Sequence, residues 1–196
     1  MNKILAFFKH FKTVCIHKAA VARYCFMCGL YYQGIIHDLS KFSPSEYLES
    51  VLYYTGVKSP IDVCKEKNGY SIAWQHHKGR NKHHYEYWTD NYDKGTTAIK
   101  MPFKYALEMI CDYLGAGYAY SKGNLTMDSE LSWWKIKRET AFMHKDTKAF
   151  VDEIFHDMYI NGIENVLRNR KKIADYKKRY NKKIYIPQNA KHLHAI

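Results

Sequence analysis

Proline and glycine are scarce in this chain, and long apolar runs are missing. Only four prolines and ten glycines occur in 196 residues, and no Gly/Ser-rich stretch marks a linker between domains. No segment approaches the roughly 18 consecutive apolar residues that a membrane span needs. The apolar run of residues 4–8 ends at Lys9, which makes it too short for a secretory signal core. We therefore expect one domain that lies in the cytoplasm and has no membrane partner.

The cysteines do not form a disulfide framework. Five cysteines are an odd number without dense spacing, as is typical of reduced thiols in a cytosol. Cys25 and Cys28 form a single C-x-x-C pair, whereas a zinc ribbon needs a second pair. We interpret these two as buried thiols.

Positive charge is concentrated near the C-terminus. The formal net charge is +12, and the segment from Arg168 to Lys183 holds nine Lys or Arg against one Asp. Such a segment is usually a solvated helix face, although it can also attract nucleic acid or another polyanion. We assign residues 1–165 to a helical domain and residues 166–196 to a basic helix and tail of the same domain. The sequence indicates no particular oligomeric state.

Helical periodicity dominates the chain. Residues 3–31 place apolar side chains at helical spacing. Ser43-Pro44-Ser45-Glu46 predicts a helix start, with Ser43 as cap, Pro44 at the first position and Glu46 completing a capping box. A long helix is expected from Pro102 to about Ser121. Strand signals are weak throughout, so we predict an all-α fold, a single-domain bundle of about six to nine helices.

Histidines and acids recur in a particular order over the first 112 residues. Imidazole and carboxylate are ligands for Fe, Mn and Zn. Two metals about 3.5–4 Å apart need several ligands, often with a carboxylate that bridges them. These residues are far apart in sequence, so only tertiary packing can gather them. In chain order they are His17, His37-Asp38, His76-His77, His83-His84 and Asp112.

This order resembles the HD-domain superfamily of metal-dependent phosphohydrolases. The segment His37-Asp38-Leu39-Ser40-Lys41 is similar to its His-Asp-x-x-Lys segment, and the resemblance covers roughly residues 10–125. The stretches HDLSKFSP and HHKGRNKHHYEYW also resemble an uncharacterised bacterial and phage family placed near that superfamily. The resemblance implies an HD-like helical fold.

The resemblance implies a first set of metal ligands. His17 matches the first ligand, His37 and Asp38 match the paired ligands, and Asp112 matches the last acidic ligand. Asp38 is the residue able to bridge two metals, and the four residues suffice for one metal. The short gap from His17 to His37 leaves His10, one heptad earlier, as an alternative first ligand.

The two histidine pairs match the additional histidines of two-metal members. Adjacent helical residues point about 100° apart, so one member of each pair is expected to bind a metal directly. We predict His77 and His84 as ligands. His76 and His83 would then contact substrate phosphate or donate protons.

Two further residues are predicted to assist the chemistry. Lys41 matches the phosphate-facing lysine of the superfamily. Glu108 lies one turn before Asp112 and could orient a ligand or the water. A divalent metal can lower the pKa of bound water to near 7, which allows attack on phosphorus. Other cations that would offset phosphoryl charge are Lys78, Arg80 and Lys82.

Aromatic residues are numerous, with 18 Tyr and four Trp. Most should serve packing, but Tyr85, Trp88 and Tyr105 are near enough to the histidines to stack on a base. Base–aromatic stacking contributes about 1–3 kcal/mol. This favours a nucleotide as the small phosphorylated substrate.

Three functions are therefore compared. The leading prediction is an enzyme, a metal-dependent phosphohydrolase that acts on a nucleotide or another phosphate ester. It would use one or two divalent transition metals, among Fe, Mn, Co, Ni and Zn. The first alternative is an HD-type di-iron oxygenase, whose ligands overlap with these. The second is a non-catalytic nucleic-acid-binding protein that uses the basic helix and whose histidines are structural; it predicts affinity that falls steeply with salt.

Overall fold

A computed structural model describes residues 2–182, which form ten α-helices and one β-hairpin. Two 3₁₀ segments, Leu39–Phe42 and Tyr85–Tyr87, connect helices. The hairpin consists of β1 (Thr89–Tyr92) and β2 (Gly95–Ala98). The helices are α1 (Lys3–Cys28), α2 (Tyr31–Ile36), α3 (Pro44–Tyr53), α4 (Pro60–Asn68), α5 (Ile72–Arg80), α6 (Phe103–Tyr120), α7 (Met127–Thr140), α8 (Lys145–Asn161), α9 (Ile163–Arg168) and α10 (Arg170–Tyr180).

The predicted all-α fold is confirmed. The ten helices within residues 2–182 exceed the expected six to nine, partly because the basic segment is two helices. Asn169 separates them, and its side chain accepts a hydrogen bond from the backbone N–H of Lys172 at the start of α10. The predicted tail beyond Lys182 lies outside the described residues.

The β-hairpin was not predicted. Its strands are antiparallel, with Thr89 opposite Ala98 and Tyr92 opposite Gly95. Most of its residues are exposed on both faces. Without a buried face the hairpin lacks the alternation of apolar and polar residues that identifies a strand in sequence.

Helices α1 and α6 pack closely at the centre of the fold. A Cβ atom at Gly115 would lie 2.3 Å from Cγ2 of Val21 and 3.1 Å from its backbone nitrogen, so the glycine permits this approach. Val21 lies one turn after His17, and Gly115 lies about one turn after Asp112. The close packing therefore places His17 opposite Asp112.

Much of the apolar core lies on the side of α6 away from His17, and the second half of α1 also contributes to it. Helix α6 contributes Leu107, Ile110 and Leu114, and α8 contributes Phe150 and Ile154, all of them fully buried. Each such side chain contributes roughly 1.5–3 kcal/mol when it leaves water. Because α8 and α10 cover that side, the opposite side of α6 is left to face α1, α3 and α5.

We find no helix in residues 2–182 with both the length and the hydrophobicity needed to cross a bilayer.

Candidate metal centre

A first donor group joins α1, the turn after α2, and α6. His17 Nε2 lies 3.1 Å from Asp112 Oδ1 and 3.3 Å from Asp38 Oδ2. His37 Nε2 lies 3.4 Å from the same two oxygens. All four residues are buried, and one donor atom of each lies within 4.8 Å of the others. Two imidazoles and two carboxylates at this spacing fit one divalent cation.

A second donor group adjoins the first. The Nε2 atoms of His77 and His83 each lie 3.3 Å from Asp38 Oδ1. His84 completes the group, again with donor atoms within 4.8 Å of one another. His77 comes from α5, whereas His83 and His84 come from the turn that follows α5. Three imidazoles and a carboxylate also fit a divalent transition metal.

Asp38 belongs to both groups. Its Oδ2 faces His17 and His37, while its Oδ1 faces His77 and His83. Its backbone is left-handed, with φ 54° and ψ 24°. That conformation is uncommon for a residue with a Cβ atom, and such strain is often found at functional sites. One carboxylate therefore lies where it can bridge two cations.

Two lysines support the turn that carries Asp38. Lys41 Nζ donates to Asp38 Oδ2 at 2.5 Å. Lys18 Nζ donates to the carbonyl oxygens of Ile35 at 2.6 Å and His37 at 2.8 Å. These contacts fix the turn and leave the Asp38 carboxylate between the histidines.

Several donor atoms of the two groups are buried without a hydrogen-bond partner in residues 2–182. Leaving a buried polar group unsatisfied costs about 1–3 kcal/mol. Here the orphaned atoms belong to the two adjoining donor groups, and a cation in each group would satisfy them. These atoms are Asp38 Oδ1 and the Nε2 atoms of His37, His77, His83 and His84.

Two glutamates orient the imidazoles through contacts with their Nδ1 atoms. Glu108 Oε1 lies 3.1 Å from His37 Nδ1 and 3.3 Å from His83 Nδ1. Glu46 Oε2 lies 2.7 Å from His77 Nδ1. An Nδ1–H that donates to a carboxylate leaves Nε2 free for a cation, as is usual for histidine ligands. Glu108 thus lies where the sequence analysis expected it to orient a ligand.

Glu46 was missed by the sequence analysis. The pattern from Ser43 to Glu46 matched a capping box, but the Ser43 side chain makes no capping hydrogen bond and instead contacts Ser45. The Glu46 carboxylate points away from its own helix end, toward His76 and His77. Only the packing of α3 on α5 reveals this role, because the local pattern has an adequate structural explanation.

The acids of the centre are ionised. Burial raises the pKa of Asp38, but His37 and Lys41 outweigh it and hold the pKa well below its usual range. Burial likewise opposes ionisation of Asp112, yet hydrogen bonds from His17 and His37 keep its pKa well below the usual range. Burial, together with the charges of His83 and His77, lowers the pKa of His84 well below its usual value. Burial lowers the pKa of His37 and His77, but the charge of Asp38 outweighs it and raises both, so these two imidazoles favour the protonated form without a metal. Because ligands bind metals as anionic carboxylates and neutral imidazoles, a cation that binds here would displace protons from these two histidines.

Two of the histidines considered for the site lie outside both donor groups. His76 Nδ1 lies 2.6 Å from Glu46 Oε1, and His76 Nε2 lies 3.1 Å from Ser45 Oγ. His10, the alternative to His17, packs against the rings of Tyr47 and Tyr54. His83 and His84 both belong to the second donor group, whereas only one member of this pair was expected to bind a metal. The expectation assumed a helix, but His83 and His84 lie in an irregular turn where the 100° spacing does not apply.

A pocket of about 190 Å³ opens onto both donor groups. His17 and Asp112 from the first group and His77 and His84 from the second form part of its lining, together with Lys41. Its other walls include Val14, Ile61, Trp74, Ala116, Ala119 and Tyr120.

The aromatic residues predicted to stack on a base lie elsewhere. Tyr85, Trp88 and Tyr105 are not among the described residues that line the pocket. Trp88 and Tyr105 pack against each other with centroids 5.8 Å apart, and Trp88 Nε1 donates to the Lys82 carbonyl at 2.8 Å. These residues serve packing. None of their contacts supports the prediction of a nucleotide substrate.

The basic segment predicted for nucleic acid is partly neutralised by acids of the protein. The positive charge that these ion pairs leave in the segment is smaller than the sequence indicates. Lys183 lies outside the described residues. The pairs are Lys172 with Asp157 at 2.8 Å, Arg179 with Glu153 at 2.9 Å and Arg168 with Glu164 at 3.3 Å.

Comparisons with known proteins give one match. Residues 6–157 match a family of unknown function, DUF5662. No curated protein and no solved structure matches the chain. The matched region contains every candidate metal ligand and ends within α8, before α9 and the basic helix α10. The chain belongs to the family of unknown function DUF5662.

Proposed function

We propose that this protein is a metal-dependent phosphohydrolase that cleaves phosphate esters at a centre with two metal positions. The observation that carries the proposal is the placement of Asp38. Its two oxygens face separate histidine groups, and both groups border one pocket. Paired metal positions that share a carboxylate are typical of enzymes that transfer phosphoryl groups.

Each position has its own ligands in this proposal. His17, His37 and Asp112 hold one cation, and His77, His83 and His84 hold the other, with Asp38 common to both. Divalent ions bound there would acidify a water molecule and neutralise charge on the phosphoryl oxygens.

The remaining polar residues bind and orient. Lys41 lines the pocket and places its ammonium group beside Asp38, where it can offset charge on a phosphoryl oxygen. Glu108 and Glu46 hold the imidazoles so that their Nε2 atoms point at the centre. The apolar walls exclude water, which strengthens these electrostatic interactions.

The proposed substrates are phosphate esters, a class that includes nucleotides. We place the protein in a reducing cytoplasm because all five cysteines are free thiols.

Metal analysis of the purified protein and a phosphatase screen test the proposal. We expect about two bound ions per chain and phosphate release that depends on added Mn, Co, Ni or Fe. His77→Ala should reduce bound metal, while His76→Ala is the matched control on the same helix and should retain it, because His76 lies outside both donor groups.

Three outcomes would overturn the proposal. In the first, His77→Ala and His76→Ala both bind as much metal as the wild type. In the second, the protein binds metal but releases phosphate from no ester. Two bound irons with oxygen uptake and no phosphate release would make the protein an oxygenase instead.

A further inference from the structure

We infer that the pocket accepts a phosphomonoester with a single phosphoryl group and a compact apolar organic group of about one ring. This inference rests on the proposed function and names its substrate class. It excludes polyphosphates as preferred substrates, and it rests on the charge, the walls and the size of the pocket.

The charge of the pocket lining matches one phosphoryl group. Among the described residues that line it, Lys41 is the one permanent cation. The cations predicted from sequence to help it, Lys78, Arg80 and Lys82, are not part of the lining. His10 borders the pocket, but burial and then the charge of Lys41 lower its pKa to about 4, so it is neutral at pH 7. The two metal positions of the proposed function can neutralise one phosphoryl group, but the further phosphates of a di- or triphosphate need additional cations or donors along their length, which this lining does not provide.

Apolar side chains share the lining with the hydroxyl groups of Thr13, Ser50, Ser59 and Tyr120. Val14 of α1, Ile61 of α4 and Ala116 and Ala119 of α6 contribute aliphatic surface, and Trp74 of α5 contributes an aromatic ring. Trp74 also packs against the ring of His84, with centroids 4.8 Å apart, so the indole lies directly beside a proposed metal ligand. A ligand that is anionic at one end and apolar at the other therefore fits this lining. Burial of its apolar part is favourable by about 25 cal/mol per Å².

The volume limits the organic group. A buried cavity of about 150 Å³ is large enough to hold benzene. This pocket, at about 190 Å³, has room for a ring and a phosphoryl group, whereas a longer chain of phosphates would extend beyond it toward solvent.

Turnover of three probes tests this substrate class. We would load the full-length protein with Mn²⁺ and compare phenyl phosphate, pyrophosphate and ATP. We expect kcat/KM for phenyl phosphate to exceed the other two by about tenfold or more, the scale on which apolar pockets discriminate.

Binding of two phosphonates provides a readout besides turnover. Calorimetry would compare phenylphosphonate with methylenediphosphonate, neither of which is hydrolysed. Ala119→Leu fills the apolar part of the pocket and should weaken phenylphosphonate binding about tenfold while leaving methylenediphosphonate binding unchanged. Ala174→Leu makes the same change on an exposed face of α10 and should alter neither.

The outcomes separate this inference from the proposed function. Phosphate release with no preference for phenyl phosphate overturns the inference and leaves hydrolysis standing. Phenylphosphonate binding that Ala119→Leu weakens, without phosphate release from any probe, supports the pocket assignment and overturns hydrolysis. Absence of phenylphosphonate binding, or equal loss of both ligands in Ala119→Leu, overturns the inference.

Discussion

Two buried polar clusters in this protein differ in how their atoms are satisfied. Between α8 and α10, Asp157 accepts hydrogen bonds from Tyr176 Oη at 2.5 Å, Lys172 Nζ at 2.8 Å and Asn161 Nδ2 at 2.7 Å. In the candidate metal centre, Asp38 Oδ1 and four imidazole nitrogens have no hydrogen-bond partner among residues 2–182. Both clusters are buried, but only the first is internally complete.

The difference separates a structural cluster from a functional one. Burial raises the pKa of Asp157, yet the hydrogen bonds from Lys172, Tyr176 and Asn161 outweigh it and lower the pKa. Such a cluster holds two helices together and needs no further partner. Buried polar atoms without hydrogen bonds weaken a fold by themselves, and the proposed metals would satisfy those of the candidate centre.

The largest expected effect comes from Asp38→Asn. Asparagine tolerates the left-handed backbone and keeps the size of the side chain, but it removes the charge that both groups share. We expect bound metal to fall at both positions. The stabilisation by metal, about 3–4 kcal/mol when the free ion is at 100–1,000 times its Kd, should disappear. Metal analysis and thermal unfolding with and without a chelator measure this, and undiminished metal content in the variant would contradict the comparison.

The next effect is expected from Glu108→Gln. The neutral amide is a weaker acceptor for the Nδ1–H groups of His37 and His83, so the imidazoles lose orientation and basicity. Loss of such a supporting contact typically weakens metal affinity about 10- to 100-fold. Competition with a chromophoric chelator measures the change. Glu164→Gln removes an exposed ion pair with Arg23 and serves as control, with no change in affinity expected.

Tyr176→Phe tests the structural cluster. The change removes one donor from Asp157, and hydrogen bonds to charged groups contribute about 1.5–3 kcal/mol. We expect the free energy of unfolding in urea to fall by that amount, with metal content unchanged. A loss of metal in this variant would show that the two clusters are not independent.

The smallest effect concerns Glu130, a buried carboxyl on α7. Burial raises its pKa from 4.5 to about 7. The folded protein therefore favours the protonated form, and stability is lost as the pH rises from about 4.5 through 7. Glu130→Gln cannot ionise, so its stability relative to wild type should increase between pH 5 and pH 8. Urea unfolding at both pH values measures this, and the same difference at both would refute it.

The sequence predicted the central helices and much of the candidate centre. Helical periodicity indicated α1, and the proline at residue 102 marked the start of α6, because these signals are local. The order of His17, His37-Asp38 and Asp112 indicated that distant residues would converge, and the structure brings them together.

The rest depended on tertiary packing. Glu46 has an adequate local explanation as a helix cap, so its contact with His77 becomes visible only when α3 packs on α5. The position of His83 depends on an irregular turn, which helical spacing does not describe. The lining of the pocket joins residues from α1, α4, α5 and α6, and no pattern in the sequence connects them.

The shared carboxylate has a thermodynamic consequence for how the centre would fill. The two oxygens of Asp38 face different donor groups, so an ion bound at one of them would fix the rotamer and withdraw electron density from the other. Occupancy of either position must therefore change the affinity of its neighbour, and the effect is reciprocal. A titration would follow a cooperative or anticooperative isotherm instead of the sum of two independent ones.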